Sequence, residues 1–257
     1  MSYKQLGVTS ENDSDSPSRK SEMSPQRDVE AAYADGRRRF MGVELLVAPG
    51  ALVPREETEL LGATALRELA VRRDAQPGGL RVIDMCCGSG NLACGIASAT
   101  RDVRVWACDL TDGCVSLARR NVEHLGLGDR VSVHQGDLFA SLAGLDLEGT
   151  IDAVVCNPPY ISTGKLGAES AGLLEHEPRE AFDGGTYGIA IHQRVIRDAL
   201  AFLRPGAPLL FELGVGQGRQ LTALFGRART YGPVELINDA GGEPRVAVAR
   251  VLVQTPS

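Results

Sequence analysis

The sequence predicts an α/β protein built on a mostly parallel sheet, with helices on both faces and an antiparallel hairpin at the C-terminus. Three observations carry this reading. From Leu80 onward, short apolar runs alternate with stretches at helical spacing, the pattern of successive strand–helix units. The runs are of the kind found in strands covered on both faces. The last two, "GPVELIND" and "PRVAVARV", are joined by "AGGE" and read as a closing hairpin.

The elements follow in order. "LRVIDM" reads as a buried strand and "GNLACGIASAT" as a helix of small residues. "DVRVWACDL" is the second strand, "TDGCVSLARRNVEHLG" the second helix and "RVSVHQGDLF" the third strand. "IDAVVCN" is a fourth strand, "GIAIHQRVIRDALAFL" a helix, "APLLFELG" a fifth strand and "GQGRQLTALFGRA" another helix, before the hairpin supplies the last two strands. Ahead of Leu80, "GRRRFMGVELLVAPGALVPREETELL" begins as a hairpin or extended arm. It then opens a helix with Leu60, Leu61, Ala65, Leu66 and Leu69 at helical spacing. The basic run in "GRRRF" reads as a solvated face, and the apolar arm from Val43 to Val53 as a contact surface or a cover for the active site. Residues 1–28 are dominated by Ser, Asp, Glu, Pro and Lys and are expected to be a disordered tail. The expected division is therefore a tail over 1–28, an arm and helix over 29–79, and a catalytic domain over 80–257.

Composition narrows the function. Of 257 residues, 43% are hydrophobic and 23% charged, enough to bury a substantial core. The net charge of −6 disfavours a protein that relies on a large basic face for nucleic acid. The six cysteines show no CxxC pair or zinc-site spacing, so they read as small buried thiols kept reduced in a cytoplasm, and no metal is expected. No apolar stretch is long enough to span a membrane.

In an open parallel sheet, ligands sit beyond the carboxyl ends of the strands. The first strand ends in "DMCCGSGN", where Gly88 and Gly90 let backbone approach a ligand and the next helix offers free N–H groups. The second ends in Asp109, at the spacing of a ribose acceptor. The third ends in "GDLF", where Asp137 is placed to meet an adenine edge and Leu138 to cover its face; the fourth ends in Asn157. Singly, either aspartate reads equally well as a helix N-cap. Together with the turn they point to a nucleoside-bearing ligand.

"VIDMCCGSGNLA", "ACDLT", "GDLF" and "VCNPPYI" resemble, in order, the motifs of class I S-adenosylmethionine-dependent methyltransferases. Their order and spacing are similar to those of the HemK/PrmC group, which methylates a glutamine side-chain amide in peptide chain release factors. "LVPREETELL", "EHEPREAFDGGTYG", "FELGVGQG" and "PRVAVARV" agree as well, so the resemblance runs from about Phe40 to Val253. It implies a Rossmann-like seven-stranded sheet and S-adenosylmethionine held by Asp84, Gly88, Ser89, Gly90, Asn91, Asp109, Asp137, Leu138 and Asn157. It also implies that Arg55 and Glu57 line the substrate pocket. Two departures stand out. Cys86 occupies the position of the first glycine in the family's turn, and its Cβ is expected to make the turn open differently. Only a short polar tail precedes the arm, where the family carries a helical domain that grips the release factor.

The tetrapeptide suits the chemistry. An amide or exocyclic nitrogen is a poor nucleophile because its lone pair is delocalised. Asn157 can accept one of its N–H groups and the carbonyl of Pro158 the other, while Pro158 and Pro159 fix the direction. Tyr160 can stack on a planar group. Such orientation contributes on the order of 7 kcal/mol or more to lowering a barrier. The structural alternative is a rigid turn with Tyr160 in the core. No dedicated general base is evident; the proton can leave to water, with Glu175 or Glu177 as possible helpers. His176 and His192 read as loop support and helix surface.

Two substrates stay level: a release-factor glutamine, and a free amino acid or metabolite with an amide or guanidine group, such as arginine. Adenine-type nucleic-acid methyltransferases share the tetrapeptide but usually add a recognition domain, and here the sheet takes up the residues after Tyr160. A module that binds the cofactor without transferring its methyl group is the remaining alternative.

Overall fold

The computed structural model describes residues 25–73, 78–161, 177, 182, 184–185 and 188–253. The N-terminal arm is a hairpin of β1 (Arg37–Phe40) and β2 (Val43–Leu46), preceded by α1 (Pro25–Asp35) and followed by α2 (Glu59–Arg73). The main sheet holds β3 (Leu80–Met85), β4 (Val103–Asp109), β5 (Val131–Gln135), β6 (Ala153–Cys156), β7 (Pro208–Glu212), β8 (Glu235–Asn238) and β9 (Pro244–Arg250). Its order is β5-β4-β3-β6-β7-β9-β8. β3 to β7 run parallel to one another, and β9 and β8 add the antiparallel edge, as expected from the sequence. The helices α3 (Asn91–Ala99), α4 (Asp112–His124), α5 (Ala190–Asp198) and α6 (Gly218–Ala228) supply the connections.

Strand alternation sends the apolar side chains into two cores. Val82, Val105 and Val155 face Leu61, Ala65 and Leu69 of α2 and Leu92 and Ile96 of α3. On the other face, Ile83, Val154 and Phe211 meet Val195 and Ile196 of α5 and Leu221 and Phe225 of α6. Both layers are needed: a β strand with apolar residues on both sides is stable only when covered twice. Strand order reverses between β3 and β6, which opens a crevice at their carboxyl ends.

Three expectations change on contact with the structure. Helix α1 begins at Pro25, inside the stretch read as a disordered tail; the rest of that tail, residues 1–24, lies outside the described residues. Two of its apolar side chains, Val29 and Ala32, are buried against Val47 and Val53 of the arm, a contact that no local pattern announces. The arm from Val43 to Val53 is not an exposed apolar surface, because Leu45, Val47, Ala51 and Val53 are all buried. His192 is not on a helix surface. It is fully buried on the same face of α5 as Val195 and Ile196, with its ring 5.0 Å from that of Phe211. Desolvation pushes its pKa down to about 4, so it is a neutral core ring. "GRRRF" keeps its charges at the surface, with Arg37 paired to Glu44 and Arg38 to Asp28 at 2.8 Å.

Asn121 of α4 joins the arm to the sheet edge. Its Oδ1 accepts the Leu46 N–H at 2.7 Å, while its Nδ2 donates to the carbonyls of Leu46 at 3.2 Å and Ser89 at 2.9 Å. One buried amide thus fixes the arm against the turn after β3.

Candidate active site

A cavity of about 350 Å³ lies over the carboxyl ends of β3, β4 and β6, in the size range of small-ligand sites. Its floor begins with the turn after β3. Gly88 has φ +54°, and a Cβ built there would meet no protein atom within 4 Å. Neighbouring atoms therefore do not exclude a side chain; the left-handed φ favours glycine, and any side chain would occupy the cavity. The turn is tied to β4 by the Gly88 N–H, which donates to Asp109 Oδ2 at 2.9 Å.

Cys86 stands in this turn, two residues before Gly88. It adopts φ +60°, the left-handed conformation that a glycine would take, and lines the cavity. A side chain in that conformation costs roughly 1–2 kcal/mol. Cys86→Gly is therefore expected to raise stability by about 1 kcal/mol once the extra freedom of glycine in the unfolded chain is subtracted. A higher urea midpoint would check this, and a lowered one would show that the cysteine carries no strain. All six cysteines are free thiols, five of them buried, as the sequence suggested.

Asp84 sits beneath the turn rather than in the cavity. It is fully buried, its Oδ2 accepts the Ala93 N–H of α3 at 2.9 Å, and its Oδ1 has no hydrogen-bond partner among the described residues. Burial pushes its carboxyl from 3.8 up to about 7, opposed by the Ala93 N–H and reinforced by Asp109. The folded protein thus keeps a proton that the unfolded chain has already lost. This contribution makes stability fall as pH rises from about 4 to about 7. Asp84→Asn is expected to melt above the parent at pH 8, with the advantage fading as pH falls toward 4. Melting curves at the two pH values check the sign.

Asp109 lines the cavity at the end of β4, where its Oδ1 also accepts the Thr111 N–H at 3.2 Å. Asp137 and Leu138 line it beyond β5; Asp137 is paired with Arg194 at 2.7 Å, and Leu138 holds φ +50° with its side chain buried. Leu52, Leu110 and Ile191 add apolar lining, and Ser89 and Asn91 complete the turn.

At the end of β6, Asn157 lines the cavity with one end of its amide already committed. Its Nδ2 donates to Thr58 Oγ1 at 3.3 Å, which leaves the acceptor end, Oδ1, for the cavity. Pro159 lines the cavity, whereas Pro158 is buried behind it. The tetrapeptide is held at its far end by Gln217, whose Nε2 donates to the carbonyl of Tyr160 at 3.0 Å. Arg55 lines the cavity from the arm and pairs with Glu177 at 2.6 Å.

Several residues expected at the site are not among its lining side chains. Gly90 is turned against Ala118 of α4, and Glu57 is exposed on a short 3-10 helix, Glu56–Thr58. The ring of Tyr160 lies against Gly214, with burial pushing its phenol up to about 12. Glu177 is a latch rather than a base facing the cavity: its Oε1 accepts the Val53 N–H at 2.8 Å and its Oε2 meets Arg55. Glu175 and His176 lie outside the described residues. Thr58, Asn121 and Glu212 were not singled out from the sequence. Glu212 ends a buried strand with a carboxylate, the same feature that marked Asp109, and that feature could have found it.

Comparison with known proteins decides the family. Residues 66–185 match the family model "Methyltransferase small domain". The release factor glutamine methyltransferase of Gloeobacter violaceus is 34% identical over 216 residues, covering 84% of this chain and 72% of the relative. The chain belongs to the release factor glutamine methyltransferase family. Its relative from Salmonella typhimurium is 36% identical over 219 residues, 85% of this chain and 74% of that protein. Among solved structures, the human METTL16 catalytic domain, in complex with MAT2A 3′UTR hairpin 6, superposes with a TM-score of 0.61 at 18% identity, covering 91% of this chain and 84% of that one. A methyltransferase from Pyrococcus furiosus gives a TM-score of 0.56 at 16% identity, covering 89% and 98%. At those identities the likeness is one of fold: the class I methyltransferase sheet. This family is an enzyme family, so the resemblance read from the motifs holds over the base-methyltransferase and non-catalytic alternatives.

The methyl donor is S-adenosylmethionine, and the cavity fits it. The space left by Gly88 admits a ligand against backbone, carboxylates stand at the ends of β4 and β5, and apolar side chains can cover a base. Among the described residues no group of His, Cys, Asp and Glu is arranged to hold a metal, and no helix is long and apolar enough to cross a membrane.

Proposed function

We propose that this chain methylates the side-chain amide nitrogen of a glutamine in a peptide chain release factor, and that it does so in the cytoplasm. Two curated relatives at 34% and 36% identity carry that activity in their names. The observation that carries the reading is the polarity of Asn157: its Nδ2 is turned onto Thr58, so an acceptor faces the cavity. A nitrogen with two N–H donors fits that acceptor.

In this reading Gly88, Ser89, Asn91, Asp109, Asp137 and Leu138 hold S-adenosylmethionine, with Asp84 and Gly90 shaping the turn from behind. When bound, the cofactor supplies an electrophilic methyl group on a sulfonium. Asn157 Oδ1 accepts one N–H of the glutamine amide and the Pro158 carbonyl the other, which localises the nitrogen lone pair. Pro159 and Tyr160 keep the tetrapeptide rigid, and Arg55 closes the cavity from the arm. The carboxylates among the described lining residues are Asp109 and Asp137, at the cofactor end. The proton released from the methylated nitrogen can leave to water. Residues 80–257 form the catalytic domain, and 29–79 the arm and helix that roof it.

The test is incubation with methyl-labelled S-adenosylmethionine and, in separate tubes, a release factor, free glutamine and arginine, and an adenine-containing oligonucleotide. Label located by mass spectrometry on a release-factor glutamine is the expected result. Label only on a free amino acid or on the oligonucleotide would overturn the proposal.

A further inference from the structure

We propose that Gln217 is a positioning residue for the transfer: its side-chain amide fixes the carboxyl end of the tetrapeptide, and through it the direction of the Pro158 carbonyl. The proposal rests on the amide-methylation reading above, in which that carbonyl accepts one N–H of the substrate. A proline ring fixes φ alone. Rotation about ψ of Pro158 would still swing its carbonyl away from the substrate nitrogen. The peptide planes must therefore be held from outside the two rings.

Gln217 supplies that hold. Its Nε2 donates to the Tyr160 carbonyl at 3.0 Å and to the Gly188 carbonyl at 3.2 Å, while its Oε1 accepts the Gly214 N–H at 2.9 Å. One amide thus joins the tetrapeptide, the segment ahead of α5 and the loop after β7. The backbone closes in as tightly. A Cβ on Gly184 would lie 2.7 Å from the Pro159 carbonyl oxygen, and one on Gly188 would lie closer still to that of Tyr160. Just beyond, the Ile161 N–H donates to the Phe182 carbonyl at 2.9 Å, and the Gly184 N–H to the Ile161 carbonyl at 2.8 Å. Packing and hydrogen bonds together fix both carbonyls.

The side chain is committed to this clamp and not to its own helix. Gln217 stands at the N-cap of α6, where Ser, Thr, Asp or Asn would satisfy a free N–H, but its side chain makes no capping bond. Both ends of the amide are used, so its polarity is fixed: two carbonyls face the nitrogen and one N–H faces the oxygen. A glutamate of the same shape would keep the Gly214 bond and set a carboxylate oxygen against two carbonyls.

The experiment has an activity arm and an arm independent of substrate, both on the full chain. With a release factor as substrate, Gln217→Glu is expected to lower kcat by about 10²-fold. The dissociation constant for S-adenosylmethionine should stay within about threefold of the parent. Gln217→Met, which removes both donors without adding a charge, should lower kcat by about tenfold and decides the matter if Gln217→Glu does not fold. In an Asn157→Ala background either loss should shrink to within about threefold, because a nitrogen freed from Asn157 gains little from a well-aimed Pro158 carbonyl. In the second arm, the backbone N–H order parameter of Tyr160 should be about 0.85 in the parent and fall below about 0.6 in Gln217→Met, with β6 unchanged. Full activity in both variants, losses that add to that of Asn157→Ala, or a cofactor affinity that falls in step with kcat overturns the proposal. So does an unchanged Tyr160 order parameter. If the parent protein transfers nothing to the release factor, the function reading fails, and the order-parameter arm alone decides the clamp.

Discussion

Replacing Asn157 with alanine is expected to lower kcat for amide methylation by about 10³-fold while leaving the dissociation constant for S-adenosylmethionine within about threefold. The size follows from what the side chain does: it supplies one of two acceptors that orient a nitrogen whose lone pair is otherwise delocalised. Loss of a single preorganised polar group at a reacting centre typically costs 10²–10³-fold, and misorientation adds to that. The cofactor should be spared because the turn, Asp109 and Asp137 lie on other strand ends. Single-turnover rates and a separate cofactor titration distinguish the two effects. A rate within about tenfold of the parent would mean that the tetrapeptide is a rigid turn and no more.

Gly88→Val is expected to weaken cofactor binding by about 10²-fold or more, equivalent to roughly 3 kcal/mol. At φ +54° the new Cβ meets no protein atom within 4 Å, so the substitution adds its methyl groups to the cavity itself. A branched side chain in the left-handed region also costs roughly 1–2 kcal/mol of stability, which should appear as a modest fall in melting temperature. Calorimetric titration with S-adenosylmethionine checks the affinity. Unchanged binding would mean that the cofactor does not approach the turn.

The seven sheet strands were legible because a two-sided core leaves its mark in the chain: "LRVIDM" and "APLLFELG" hold β3 and β7, the strands that flank the central β6, and their apolar content follows from burial on both faces. The strand-end groups Gly88, Asp109, Asp137 and Asn157 could be read for the same reason, since topology alone carries those positions to one edge. What could not be read depends on contacts between remote segments. Val29 and Ala32 of α1 have no meaning until Val47 and Val53 cover them. His192 looks polar in isolation, and its spacing to Val195 and Ile196 places it in the core. Cys86 holds a left-handed φ without being a glycine, which no local pattern in the sequence announces. Thr58 is an ordinary residue in sequence; only the packing of the short 3-10 turn Glu56–Thr58 against the end of β6 brings its hydroxyl to Asn157.

The most direct measurement is a crystal structure of the protein with S-adenosylhomocysteine and a glutamine-bearing release-factor peptide. The account predicts the glutamine Nε2 within about 2.6–3.2 Å of Asn157 Oδ1, with Asn157 Nδ2 still donating to Thr58. A peptide whose glutamine lies away from the tetrapeptide, or an Asn157 amide that presents its nitrogen to the substrate, would contradict it.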